Sequence, residues 1–273
     1  MTRAAVIVPI DALPDGVQLL DVRWTLGGSP GAGRAAYLAG HLPGARFLDL
    51  EAVPTMPGEP GQGRHPLPDA ARLEAGLGAL GVEASRPIVV YDEPGSFAAG
   101  RAWWVLTWAG LDVRVLDGGL PAWVASGRPL VAGDVAVTPT VLTLTTGHLP
   151  TIDADEAASW PGTLIDARVA ERFTGATEPV DPVAGHIPGA VNRPVTGFWT
   201  PEGTLPDDAT LRDRLGSARE PIAVYCGSGV SAAQVILALT ALDVPAALYP
   251  PSWSGWCADP AHDVATGPGK EDR

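Results

Sequence analysis

The chain has 273 residues, 46% of them apolar and 18% charged, the make-up of a soluble globular protein long enough for two domains with separate cores. Its formal charge of −13 excludes the basic face that a phosphate backbone or an anionic membrane requires, so no nucleic-acid or membrane partner is expected. An anionic substrate would need a local cation.

In chain order, Met1-Thr2-Arg3-Ala4-Ala5-Val6 lacks a signal-peptide core, and no later run approaches the ~20 apolar residues of a transmembrane helix. The cytoplasm is therefore the expected location. "LLDVRW" (19–24) and "AGHLPGARF" (39–47) come first, then "LDLE" with Asp49 and Glu51, then the Gly/Pro-rich loop "PGEPGQGRHPLP" with His65. An imidazole in that loop could reach a cleft between two domains. Ile88-Val89-Val90-Tyr91 has strand composition and leads to Asp92. Phe97 to Gly110 is a helix-length segment whose Trp103, Trp104 and Trp108 are expected to pack. Residues 131–150, including "VAVTPTVLTLTTGHLP", have no helical period and are expected to be a partly extended linker.

The same blocks then return. "LIDARV" (164–169) and "AGHIPGAVN" (184–192) answer the first two at an offset of 145, while "PIAVYCGSGV" (221–230) answers "PIVVYDEPGS" (87–96) and "SWSGW" answers "GLPAW" at 134 and 133. A kept order with a drifting offset predicts a duplicated domain with one shortened loop. The expected domains are 1–130 and 151–273. Strands alternating with helices place both halves in the α/β class, each a mainly parallel sheet flanked by helices.

Two cysteines, Cys226 and Cys257, are too few for a disulfide framework or a structural zinc site. Cys226 follows the apolar run Pro221-Ile222-Ala223-Val224-Tyr225 and opens the turn Cys226-Gly227-Ser228-Gly229-Val230-Ser231. A helix is expected from about Ser231, with Val235, Ile236, Leu239 and Leu242 on its core face. Successive N–H groups in such a turn converge on an anion at the positive end of a helix, which favours a thiolate. Glycine lets a ligand approach those amides, and the Ser228 hydroxyl can donate to sulfur or substrate. The competing reading is a buried cysteine acting as a small hydrophobe. Asp92 holds the equivalent place in the first half, as expected of one reactive and one unreactive loop. His41 and His186 occur in both copies, which points to a scaffold role.

These motifs, with "VLDGGLPAW" (115–123), resemble the tandem-domain rhodanese family of sulfurtransferases along nearly the whole chain. The resemblance implies two rhodanese-like domains, the second carrying a catalytic cysteine, Cys226, that cycles between thiolate and persulfide. "CGSGV" resembles the 3-mercaptopyruvate branch, because thiosulfate-using relatives carry basic residues where this chain has Gly227 and Ser228. The family further implies substrate binding by Arg172 and by the loop residues Gly227, Gly229, Val230 and Ser231, and proton transfer through Ser228, His65 and Glu51. Glu51 stands where relatives have Asp, and Asp49 is its neighbouring rival. A second substrate arginine of that branch has no counterpart in "TEPVDPVAG" (177–185), which leaves Arg101 and Arg193 as candidates.

The implied partners are a small-molecule sulfur donor, 3-mercaptopyruvate or thiosulfate, and an acceptor such as thioredoxin, glutathione or cyanide. No cofactor or metal is implied. Thiosulfate transfer and a non-catalytic persulfide carrier are the alternatives, with Cys257 as a second thiol that could resolve the persulfide. A cysteine phosphatase is disfavoured because Ala232 stands where its phosphate-binding arginine would be.

Overall fold

The computed structural model describes residues 2–56, 58–59 and 61–269. The chain divides into two compact units, the first Met1–Met56, Leu67–Leu149 and Thr200–Leu205, the second Pro57–Pro66, Pro150–Trp199 and Pro206–Arg273. The units therefore exchange two short segments relative to a simple division at the middle. One of those segments carries His65 into the second unit.

In the first unit the elements are α1 (Arg3–Val6), β1 (Ile7–Val8), β2 (Gln18–Asp21), α2 (Ala32–Ala39), β3 (Arg46–Phe47), α3 (Ala70–Ala79), β4 (Ile88–Tyr91), α4 (Ala98–Trp108), β5 (Val113–Leu116) and α5 (Gly119–Ala125). Its five strands run in the order β1-β5-β4-β2-β3, every pairing parallel. In the second unit they are α6 (Ala154–Ala158), β6 (Thr163–Asp166), α7 (Ala170–Thr174), β7 (Val191–Asn192), α8 (Asp208–Leu215), β8 (Ile222–Tyr225), α9 (Val230–Ala241), β9 (Ala246–Leu248) and α10 (Ser252–Trp256). The order β7-β6-β8-β9 is again wholly parallel. Both sheets fit the α/β reading, because a parallel strand covered on both faces must be apolar throughout, as "IVVY" and "IAVY" are.

The duplication extends to individual side chains. Arg23 grips Asp21 and donates to the Gly40 carbonyl at 2.7 Å, and Arg168 grips Asp166 and donates to Gly185 at 2.6 Å. The Tyr91 hydroxyl accepts the Leu42 N–H, and the Tyr225 hydroxyl accepts the Ile187 N–H, both at 3.1 Å. His41 stacks on Tyr37 and pairs with its carbonyl; His186 does the same with Phe173. Burial holds the His186 pKa below the ordinary imidazole value. The two histidines are thus fixed on aromatic rings beneath their loops, in the scaffold role expected of residues present in both copies.

The Val/Thr-rich stretch lies on the first unit as extended chain, its Thr140 N–H donating to Gly78 and its Leu144 N–H to Glu74. Trp103 and Trp104 are fully buried on α4, and Trp104 stacks on Trp108. Helix α9 packs on β8 and β9 and is buried on every side except at Ser231 and Thr240. The expected single core face is therefore too narrow, since a helix apolar all round belongs in the interior. No helix among the described residues is long and apolar enough to cross a membrane.

Candidate active site

Cys226 follows the last residue of β8, and α9 begins at Val230, with Gly229 as its N-cap in the left-handed region at φ 82°. That conformation costs glycine nothing and turns the Gly229 N–H back to the Cys226 sulfur at 3.1 Å. The sulfur is buried, with Cys226 2% exposed, yet it faces an amide and the positive end of a twelve-residue helix rather than hydrocarbon. From below, the fully buried Ser252 accepts the Cys226 N–H at 3.2 Å and donates to Tyr249. Two more bonds clamp the turn: Trp253 N–H to the Cys226 carbonyl at 2.9 Å and Ser254 N–H to Gly227 at 3.0 Å. The repeated "SWSGW" thus forms the floor of the cysteine loop.

His65 Nδ1 pairs with Ser228 Oγ at 2.7 Å, and the two residues are only 7% and 5% exposed. His65 is therefore no solvated loop histidine. Its neighbour is anchored too, for the Arg64 N–H donates to Ser254 Oγ at 3.1 Å. Glu51 and Asp49 belong to the first unit. There Trp24 Nε1 donates to Glu51 at 2.9 Å, while Asp49 accepts the N–H groups of Glu51 and Ala52.

Arg172 on α7 presents its guanidinium to the same turn, and Arg64 joins it. A Cβ added to Gly227 would stand 3.1 Å from Arg64 Nη2 and 3.4 Å from Arg172 Nη1, so both cations crowd one face of that glycine. The loop itself is uncharged, but its neighbourhood is not. The uncharged loop expected from Gly227 and Ser228 is thus flanked by Arg172, the expected cation, and by Arg64, which was not expected. The "TEPVDPVAG" segment supplies the counter-charges: Glu178 holds Arg172 through Nε at 3.0 Å and Nη2 at 2.8 Å, and Asp181 accepts from Arg172 at 2.9 Å and from Arg64. Arg168 also reaches Glu178 at 3.3 Å. Burial opposes the Glu178 carboxylate, but Arg172 and the N–H groups of Asp181 and Val180 more than offset it and hold its pKa below the usual range. Asp181 goes the other way, its pKa raised by burial and by Glu178 despite the two arginines.

Of the alternative cations, Arg193 donates to the Asn192 carbonyl and lies against Gly216 after α8, and Arg101 is buried on α4 of the first unit. Neither is the second guanidinium at Gly227. Arg64 was not singled out by motif; the signal available was its place beside His65 in "GRHPLP". Ser252 lies in the repeated "SWSGW", but neither it nor Asp181 carries a local signal of its place at the turn. Cys257 packs against the core cluster around Trp253 and Trp256, and burial pushes its thiol pKa up. Among the described residues no group of three or more His, Cys, Asp or Glu is placed to hold a metal ion.

Comparison with known proteins agrees with this geometry. A rhodanese-like domain model matches residues 10–126 and 152–259. The Mycobacterium tuberculosis protein SseB, provisionally named a thiosulfate sulfurtransferase, is 45% identical over 263 residues, covering 93% of this chain and 92% of that one. The 3-mercaptopyruvate sulfurtransferase of Escherichia coli is 37% identical over 262 residues, covering 89% of each chain. The crystal structure of SseA from Escherichia coli, a 3-mercaptopyruvate sulfotransferase, is similar with a TM-score of 0.79 at 32% identity over 93% of this chain and all of that one. With two matched regions, a duplicated parallel sheet and a cysteine turn at the head of the second unit's central helix, this chain belongs to the rhodanese family.

Proposed function

We propose that the protein is a sulfurtransferase that takes sulfur from 3-mercaptopyruvate onto Cys226 and hands it to a thiol or to cyanide. The observation that carries this reading is the Gly229 N–H directed at the Cys226 sulfur from the head of α9, with the Ser228–His65 pair in the same turn. The Cys226 thiolate attacks the donor sulfur. The donor C–S bond breaks, its electron pair passes to carbon as the pyruvate enolate, and the transferred sulfur leaves Cys226 as a persulfide. The enolate carbon then takes up a proton, and Ser228 and His65 are assigned its delivery.

The backbone of Gly227, Gly229, Val230 and Ser231 is assigned to the anionic sulfur, and Arg172 to the donor carboxylate, which a planar guanidinium fits. In the second half-reaction an acceptor thiolate attacks the outer sulfur and returns Cys226 as thiolate. Reduced thioredoxin or glutathione in the cytoplasm has the required chemistry.

A second reading, thiosulfate as donor, is favoured by one observation: Arg64 and Arg172 bring to Gly227 the positive charge that the turn lacks. Steady-state assay with both donors, joined to mass spectrometry of the protein after one donor equivalent, separates these readings. The expected result is one added sulfur on Cys226, a higher kcat/KM for 3-mercaptopyruvate, and no turnover in Cys226→Ser. Pyruvate release by Cys226→Ser at the parental rate would end the assignment. A higher kcat/KM for thiosulfate selects the second reading, and labelling without turnover selects a persulfide carrier.

A further inference from the structure

We propose that Arg64 and Arg172 together form the clamp for the donor's carboxylate, and that Asp181 is its resting occupant, an internal anion that the donor displaces. The proposal rests on the sulfurtransferase reading for the identity of the donor. The clamp itself stands on geometry.

Two guanidiniums close to one glycine repel each other unless an anion lies between them. Asp181 is that anion: one carboxylate oxygen accepts from Arg64 Nη1 and the other from Arg172 Nη2, with the side chain 3% exposed. It sits as an incoming carboxylate would, one oxygen to each cation. Glu178 differs in kind. It is tied by the backbone N–H groups of Val180 and Asp181 as well as by Arg168 and Arg172, so it is part of the frame. Among the described residues the Asp181 side chain accepts from the two arginines alone, and burial and Glu178 both disfavour its charge there. It is the exchangeable partner.

Arg64, Arg168 and Arg172 with Asp166, Glu178 and Asp181 sum to zero, so a monoanion entering the resting cluster gains nothing from net charge. Neutralising Asp181 makes the cluster cationic and frees Arg64 toward Gly227, with Arg172 still held by Glu178. Removing Arg64 does the reverse, leaving Arg172 shared between two carboxylates. If the Arg64–Asp181 pair merely fastened the 57–66 segment, loss of either partner would loosen the segment and weaken the site. The two roles thus predict opposite signs at position 181.

The test is pyruvate binding, measured by calorimetry on the full chain carrying Cys226→Ser so that no turnover intervenes. In that background Asp181→Asn is expected to bind pyruvate several-fold tighter, and Arg64→Ala about tenfold or more weaker, with Arg64→Lys between Ala and the parent. In the active protein the KM for 3-mercaptopyruvate moves in the same directions. Weaker binding in Asp181→Asn, or parental binding in Arg64→Ala, overturns the clamp. If Arg64→Ala fails to fold, the sign at Asp181→Asn decides alone. A parent protein that forms no persulfide from 3-mercaptopyruvate would defeat the functional reading while leaving the pyruvate measurement able to judge the clamp.

Discussion

His65 and Ser228 are both buried and paired at 2.7 Å, so each is the other's hydrogen-bond partner in a place water scarcely reaches. If the pair delivers the proton that converts enolate to pyruvate, its loss acts on the chemical step. His65→Ala is expected to lower kcat for pyruvate release by about 10²-fold while the donor KM stays within about twofold. A kcat near the parental value would assign the proton to another group, and a large rise in KM with kcat kept would make His65 a binding residue. Cys226, Ser228 and Arg172 were legible because each lies in or beside a motif with a stated chemical need. Arg64 and Asp181 were not, because nothing in "GRHPLP" or "TEPVDPVAG" says that a cation from one will meet a carboxylate from the other. Their pairing is made by packing between segments 117 positions apart.

The two strand–turn–helix elements place an acceptor side chain at the same point, at the head of a helix. After β8 the sulfur of Cys226 accepts the Gly229 N–H, and after β4 the carboxylate of Asp92 accepts the Ala99 N–H at 2.9 Å at the start of α4. Burial pushes the Asp92 pKa up to about 7, although Ala99, Ser96 and Ala98 pull it down. Because the folded value exceeds the unfolded one of roughly 3.9, the folded protein holds a proton that the unfolded chain has lost. Asp92 therefore stabilises the fold at low pH, and that contribution fades as pH rises through about 7. Asp92 as a whole residue is half-buried, so the effect is set at on the order of 1 kcal/mol, below the full linkage value. Asp92→Asn should flatten the fall in urea-unfolding stability between pH 5 and pH 8, and parallel pH profiles for parent and variant would refute it. The alternation of strand and helix was readable here because "IVVY" and "IAVY" are short, β-branched and aromatic runs, the composition of a doubly covered strand. The depth of α9 was not, since alanines give no periodic contrast to mark an exposed face.

Over the whole chain, four repeated blocks in one order disclosed the duplication, and matching Asp–Arg, Tyr and His contacts in the two units are its physical content. The crossing of Pro57–Pro66 into the second unit escaped the sequence, because a Gly/Pro-rich loop has no periodic face to declare which core it serves. Net charge acts at this scale as well. The chain carries a total of −13 and the ion-pair cluster beside the Cys226 turn is neutral, so the long-range field opposes the approach of a carboxylate or of thiosulfate. Added salt shortens the reach of that field from about 30 Å at 0.01 M to about 8 Å at 0.15 M. The kcat/KM for an anionic donor should accordingly rise, by about twofold to fivefold, as ionic strength increases over that range. Steering by Arg64 and Arg172 alone would give the opposite slope, since screening would then weaken attraction. A decline with salt in stopped-time assays at low donor concentration would therefore show that the local cations outweigh the charge of the molecule as a whole.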